Sequence, residues 1–63
     1  MTLKEYRLRA GLRFIDVGNK LNVTVTAVYN WEHGKNKIAR KYHKKLAKLY
    51  GCTVDELLSA EVT

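Results

Sequence analysis

Two segments with helical patterning that are separated by only two residues constrain the fold of this chain most. Residues 14–21 carry apolar side chains at helical spacing, and residues 24–33 follow after Asn22 and Val23 alone. Two helices can reverse this sharply only if one residue takes the left-handed conformation, which asparagine adopts more readily than most non-glycine residues. Gly18 supplies the clearance that closely crossing helices need. We therefore predict two crossing helices with Asn22 as the pivot between them.

The second of these segments also has a feature of a β-strand, because valine and threonine alternate over residues 23–26. Four alternating residues are weak evidence, and Thr24 has the chemistry of a helix N-cap. A helix over 24–33 groups the apolar Val28 and Trp31 on one face and directs polar side chains to the other. The sequence thus favours a helix that packs one face and presents the other.

Three further helices follow from capping residues and periodicity. Residues 2–10 and 53–59 both start with a threonine that is followed three residues later by a glutamate, which is the capping-box pattern. Residues 38–50 place apolar side chains on one stripe and cations on the other, and Gly51 marks the end of that helix. The chain is expected to be all-α, with a single domain over residues 1–63.

The net charge favours a polyanionic partner. The 63 residues include 12 Lys plus Arg against 6 Asp plus Glu, and the stretch from Lys35 to Lys48 contains cations but no acid. Such a balance indicates nucleic acid first and an anionic membrane second. No apolar run approaches the about 20 residues that a membrane span needs. No secretory signal is recognisable, so a cytoplasmic protein is expected.

Catalytic and metal chemistry find no support in the sequence. The single cysteine, Cys52, cannot form an intrachain disulfide or a thiolate zinc site, and we expect it to be a small packed side chain. His33 and His43 have no second ligand close by in the sequence. Acidic residues near the predicted helix starts are accounted for by the helix dipole. We expect no enzyme, no cofactor, no metal and no small-molecule ligand.

Three motifs, taken together with their spacing, resemble the lambda-repressor-like helix-turn-helix domains of the Cro/repressor type, which are common in phage and bacterial regulators. They are the R-x-x-x-G-L pattern at residues 7–12, W-E-x-G-K at 31–35, and L-A-x-x-Y-G-x-x-V-D-E-L-L at 46–58. The resemblance covers nearly the whole chain. It implies a compact five-helix domain whose recognition helix, residues 24–33, enters the major groove of DNA.

The resemblance also implies roles for the residues at matching positions. Arg7 and Glu32 match an ion pair between the first helix and the end of the third, while Val28 and Trp31 belong to the core. Among the base-reading positions, an asparagine amide suits a bidentate contact to adenine. The base-reading positions are Val25, Thr26, Tyr29 and Asn30. The phosphate-contacting positions are Arg13, His33, Lys35, Lys37, Arg40 and Lys41.

Four positions depart from the family pattern. A polar residue is usual where Phe14 and Val25 stand; Phe14 cannot bond a phosphate, so it is expected to pack or to contact a partner, and Val25 offers only apolar contact. Gly18 and Asn22 replace the usual alanine and glycine, and both keep the geometry of the turn. Because alanine is the usual clearance residue, Gly18→Ala is expected to be mild.

These patterns favour a sequence-specific regulator of transcription that binds double-stranded DNA, of the Cro-like or short phage or prophage repressor type. One helix-turn-helix covers about half of an operator, so a homodimer on half-sites ~34 Å apart is expected. The alternative is a protein–protein module on the same fold, such as an antirepressor or antitoxin-type regulator, which Phe14 and Val25 favour. The expected self-contact involves Val54, Leu57, Leu58 and Val62.

Overall fold

Five α-helices account for most of residues 1–61, the part of the chain that the computed structural model describes. No strand is present in that part, so the all-α prediction is confirmed. None of its helices is long and apolar enough to cross a membrane. The helices are α1 (Leu3–Arg9), α2 (Phe14–Leu21), α3 (Val25–Glu32), α4 (His43–Tyr50) and α5 (Val54–Glu61), with a 3₁₀ turn at Arg40–Tyr42 before α4.

One helix starts later than the sequence predicts. The helix expected over residues 38–50 begins at His43, and the chain before it is extended at Ala39, with φ −61° and ψ 140°. Ile38 is buried, and its backbone N–H donates to the carboxylate of Glu61 near the end of α5. In a helix that began at Ile38 this N–H would belong to the first turn and would have no intrahelical partner, and the carboxylate of Glu61 supplies one from α5.

Threonine side chains start three of the helices, as their sequence positions predict. Thr24 accepts a hydrogen bond from the backbone N–H of Ala27 at 3.2 Å, which places residue 24 outside α3 as its N-cap. Thr53 accepts from the backbone N–H of Glu56 at 3.1 Å, and the Glu56 carboxylate accepts from that of Thr53 at 2.9 Å. A corresponding pair of bonds closes the capping box at the start of α1.

The turn between α2 and α3 has the predicted left-handed residue. Asn22 has φ 58° and ψ 45°, and its N–H donates to the carbonyl of Gly18. The next N–H, that of Val23, donates to the same carbonyl at 2.9 Å. These bonds hold the start of α3 against the middle of α2, so a two-residue connection suffices.

The clearance at Gly18 is tighter than the sequence suggests. A Cβ atom built on Gly18 would lie 2.8 Å from the carbonyl oxygen of Val23. That oxygen belongs to the backbone of a turn that is already fixed by hydrogen bonds, so it cannot rotate away as a side chain would. This contact argues against the expectation that Gly18→Ala is mild, because the added methyl group requires the α2 and α3 backbones to shift.

The core lies between all five helices. Val17, Val28, Leu46 and Leu57 are its fully buried large side chains, one from each of α2 to α5, and α1 adds Leu3 and Tyr6. Burying an aliphatic side chain of this size contributes about 1.5–3 kcal/mol. The apolar face of α3 is thus held in the core, which fixes the direction of its opposite face.

Substitutions at the turn test this arrangement. Asn22→Gly should melt near the parent temperature, whereas Asn22→Val should cost about 1–3 kcal/mol because a β-branched residue is strained in the left-handed region. Gly18→Ala should lower the melting temperature although alanine favours helix by about 1 kcal/mol, and Gly18→Leu should lower it further. Circular dichroism melts of the four variants measure this. A Gly18→Ala protein as stable as the parent would mean that the α2 and α3 backbones lie farther apart.

The capping carboxylates predict how stability depends on pH. Hydrogen bonds from the backbone N–H and hydroxyl of Thr2 lower the pKa of Glu5, and the equivalent bonds of Thr53 lower the pKa of Glu56. A depressed pKa stabilises the fold above the usual carboxyl pKa, and that contribution is lost as the pH falls through the folded value. The melting temperature should therefore drop as the pH falls below the ordinary glutamate pKa of 4.5.

Thermal melts of the Glu5→Gln/Glu56→Gln double variant provide the test. It should melt below the parent at pH 7 and lose less stability on acidification. Asp55→Asn removes a carboxylate from the same turn as Glu56 but leaves the capping bonds in place, so it should keep the parent's acid response. An acid response of the double variant as steep as the parent's would show that other groups control it.

Candidate nucleic-acid interface

The side of α3 that faces away from the core carries the predicted base-reading residues. Val25 and Tyr29 are 44% and 42% exposed. Thr26 is exposed, and Asn30 is half-buried. Since Val28 and Trp31 are buried on the opposite side, these side chains share a surface that the core does not cover.

A buried ion pair fixes the C-terminal end of α3. The Arg7 guanidinium donates from Nε to Oε2 of Glu32 at 2.5 Å and from Nη2 to Oε1 at 3.4 Å. Its Nη1 donates to the carbonyl of Leu12 at 2.8 Å, in the loop before α2. The two side chains are only 8% and 4% exposed. The pair implied by the family resemblance is therefore present, and it ties α1, the α1–α2 loop and α3 together.

Phe14 covers this ion pair. Its ring centre lies 4.3 Å from the guanidinium carbon of Arg7, a cation–π contact, and its ring meets that of Tyr29 edge-on at 6.0 Å. Phe14 is half-buried by these contacts. The position where a polar residue is usual thus holds a packing residue, which is one of the two roles that the sequence predicts for Phe14.

The end of α3 adds an aromatic and cationic cluster. The rings of Tyr29 and His33 lie 4.0 Å apart at 35° to each other. The ammonium nitrogen of Lys35 lies 5.8 Å from the Tyr29 ring centre. These three residues join the presented face of α3 to residues 35–41, the basic loop that follows it.

The predicted phosphate-contacting residues are all exposed, but they differ in what holds them. Arg13 forms an ion pair with Asp16, with Nε 3.1 Å from Oδ2 and Nη2 3.2 Å from Oδ1. This contact is the main reason that the pKa of Asp16 is lowered. Lys41 lies 5.1 Å from the ring centre of Tyr42. Arg13 is 80% exposed at its side chain, so it can reach an additional anion beside Asp16.

Two side chains anchor the basic loop at its buried middle residue. The N–H of Ile38 donates to the carboxylate of Glu61, and the Nε2 of His43 lies 3.0 Å from the carbonyl of Ile38. Because a carbonyl can only accept, the Nε2 of His43 is the donor in this contact. Lys37 and Arg40 lie close to this anchor in the chain, so it limits the movement of their backbone. Sequence reasoning missed the anchor because Glu61 is 23 residues from Ile38.

The predicted self-contact needs a correction. Leu57 is fully buried in the core of a single copy, so its side chain cannot also face a second copy. Val54 and Leu58 are half-buried and keep some exposed surface. Val62 lies outside the described residues. The apolar spacing of α5 identifies a packed face, and the core already takes up the centre of that face.

The remaining reactive side chains are accounted for by packing. Burial raises the pKa of the Cys52 thiol and of the Tyr50 hydroxyl further above neutral pH, so neither group is activated as a nucleophile. Among residues 1–61, no group of three or more histidine, cysteine, aspartate or glutamate side chains is placed to hold a metal ion.

Comparison with known families agrees with this geometry. The helix-turn-helix family matches residues 3–57, which is most of the chain and includes both helices of the turn. The chain therefore belongs to the helix-turn-helix family of the lambda-repressor type. Proteins of this family are DNA-binding regulators of transcription and are typically not enzymes. No curated protein and no solved structure matches the chain significantly.

Breaking the buried ion pair should be costly. Glu32→Gln leaves the Arg7 guanidinium buried without its counter-charge, which costs about 3–5 kcal/mol. A core of this size rarely supplies more than about 3–5 kcal/mol, so the variant should be largely unfolded at room temperature. Arg7→Met combined with Glu32→Leu should fold, because an apolar pair leaves no unpaired charge. Thermal melts compare them, and a single variant as stable as the double variant would contradict this account.

Proposed function

We propose that this protein is a sequence-specific repressor of the Cro-like or short phage or prophage type, which inserts α3 into the major groove of double-stranded DNA. The observation that carries the proposal is the fixed presentation of α3. One face is held by the core and by the Arg7–Glu32 pair, and the other presents the exposed Thr26 and the half-buried Asn30. An α-helix fits the major groove of B-DNA.

Base reading is assigned to the exposed face of α3. Adenine presents an acceptor, N7, and a donor, the N6 amino group, side by side in the major groove. The side-chain amide of Asn30 can donate to N7 and accept from the N6 amino group at the same time. The methyl groups of Val25 and Thr26 suit the methyl group of thymine. These assignments predict a half-site in which A·T pairs are distinguished.

Phosphate contacts are assigned to the cations on both sides of α3 in the chain. Arg13 precedes α2, and the basic loop with Lys35, Lys37, Arg40 and Lys41 follows α3, all of them exposed. Each phosphate that a cation neutralises releases counterions, so binding should weaken steeply as salt rises. The loop anchor at Ile38 keeps part of this surface ordered before DNA arrives.

Two copies are proposed to bind one operator. The domain measures 23 × 23 × 20 Å, whereas half-sites on one face of B-DNA lie ~34 Å apart. Two copies can therefore occupy successive major grooves side by side without overlap. Of the predicted self-contact residues, Val54 and Leu58 of α5 retain the exposed surface that such a contact needs.

The alternative of a protein–protein module loses one of its two supports. Phe14 packs on Arg7 and Tyr29 instead of standing free, and Val25 remains as the exposed apolar residue of that argument. Binding to a protein partner that survives high salt, with no binding to duplex DNA, would favour the alternative.

Selection of binding sites from random duplex DNA tests the proposal, followed by the Asn30→Ala variant. The parent should select a defined half-site. Asn30→Ala should lose about 1–3 kcal/mol on the best site and relax the preference at one base pair, because one bidentate contact is removed. Fluorescence anisotropy and a repeated selection measure these two effects. An unchanged preference would remove Asn30 from the reading residues.

The cations supply the matched control. Lys37→Ala or Arg40→Ala should weaken binding to every sequence alike and lower the salt slope by about one for each substitution. The selected sequence should not change. A parent whose binding depends on neither salt nor sequence would overturn the proposed function as a whole.

A further inference from the structure

Tyr29 is the presented residue whose ring is most enclosed by neighbours. Phe14 meets it edge-on, His33 lies 4.0 Å away along the helix, and Lys35 approaches at 5.8 Å. Its hydroxyl makes no hydrogen bond to any residue between 1 and 61. Tyr29 as a whole is 42% exposed. The ring is therefore held while its polar end is available to a ligand.

The position of Tyr29 on the helix places it on the part of the presented face nearest α2. At about 100° per residue, Tyr29 lies about 40° from Val25 and 60° from Thr26, and Asn30 lies at the opposite edge of the face. Phe14 of α2 packs on Tyr29, and Arg13, which is assigned a phosphate contact, directly precedes Phe14. Tyr29 is therefore the residue of this face that lies nearest the phosphate-contacting start of α2.

The support of the Tyr29 ring continues into the buried ion pair. Phe14 stacks on the Arg7 guanidinium at 4.3 Å, and Arg7 is itself fixed by Glu32 and by the carbonyl of Leu12. Phe14 therefore cannot turn away without losing its cation–π contact. The Phe14 side chain has no group that can bond a phosphate, but it packs against the ring of Tyr29, which carries a hydroxyl.

We propose that Tyr29 contributes its hydroxyl to a DNA phosphate and does not read a base, and that Phe14 is the positioning residue for this contact. The ammonium group of Lys35 near the same ring makes this place favourable for an anion. The inference rests on the proposed DNA-binding function and changes the role that the family resemblance implies for residue 29.

Tyr29→Phe tests the phosphate contact, since it removes the hydroxyl and keeps the ring. Anisotropy titrations would use the duplex selected by the parent and an unrelated duplex of equal length. Binding should weaken by about tenfold or more on both, the effect of one hydrogen bond to a charged group. The sequence selected from random DNA should stay the same. A changed preference at one base pair would show that Tyr29 reads a base and would overturn the inference.

A double-mutant cycle tests the positioning role of Phe14. Phe14→Leu should weaken binding in the parent, but it should have little further effect in the Tyr29→Phe protein, because the contact that it positions is already absent. Equal losses in both backgrounds would overturn the positioning role. Phe14→Tyr keeps the ring edge and should retain at least the parent's affinity. Ile15→Leu, at the exposed next residue of α2, should change neither value.

The failure of this inference is distinguishable from that of the proposed function. A parent protein that shows no salt-dependent binding to duplex DNA overturns both. A parent that binds and selects a sequence, together with a Tyr29→Phe variant of unchanged affinity, overturns the inference alone. Thermal melts of each variant establish that a loss of binding is measured on folded protein.

Discussion

The buried Arg7–Glu32 ion pair is the interaction on which the presented surface depends. It joins the first helix to the end of α3, and through the carbonyl of Leu12 it also holds the loop that leads into α2. Isolated charges in such a place would be expensive, so the geometry of the pair is strongly enforced. Phe14 then uses the guanidinium as a platform. One ion pair therefore determines where α3 ends and which aromatic ring borders its exposed face.

The turn at Asn22 fixes the other end of α3. Two amide groups share the carbonyl of Gly18, and the left-handed Asn22 allows the chain to reverse within two residues. With one end held by hydrogen bonds and the other by an ion pair, α3 needs only a few buried side chains to keep its direction. An eight-residue helix that is held at both ends presents its exposed side chains in a fixed direction, which the proposed base reading would require.

Local features were the ones that the sequence could predict. Thr24 as N-cap, Asn22 as pivot and the capping boxes depend on neighbours within four residues, and the structure contains each of them. Features that depend on exact distances or on residues far along the chain could not be predicted from pattern. The clearance at Gly18 is set by the position of one backbone oxygen, the N–H of Ile38 bonds to Glu61, and the burial of Leu57 follows from how α5 meets the other helices. The exposure of the predicted cations and of α3 agrees with their assigned roles, while the roles themselves remain proposals.

The carboxylate of Glu61 joins the most acidic helix to the most basic loop. Because it accepts the N–H of Ile38, one hydrogen bond links the last turn of α5 to the loop around Lys37 and Arg40. A ligand that stabilises one of these two segments would then also stabilise the other, and by thermodynamic linkage the effect is reciprocal. An anion bound by the loop would protect the last turn of α5 from fraying. A second protein bound to α5 would in turn raise the affinity of the loop for that anion. In this small domain, assembly and ligand binding would share one hydrogen bond.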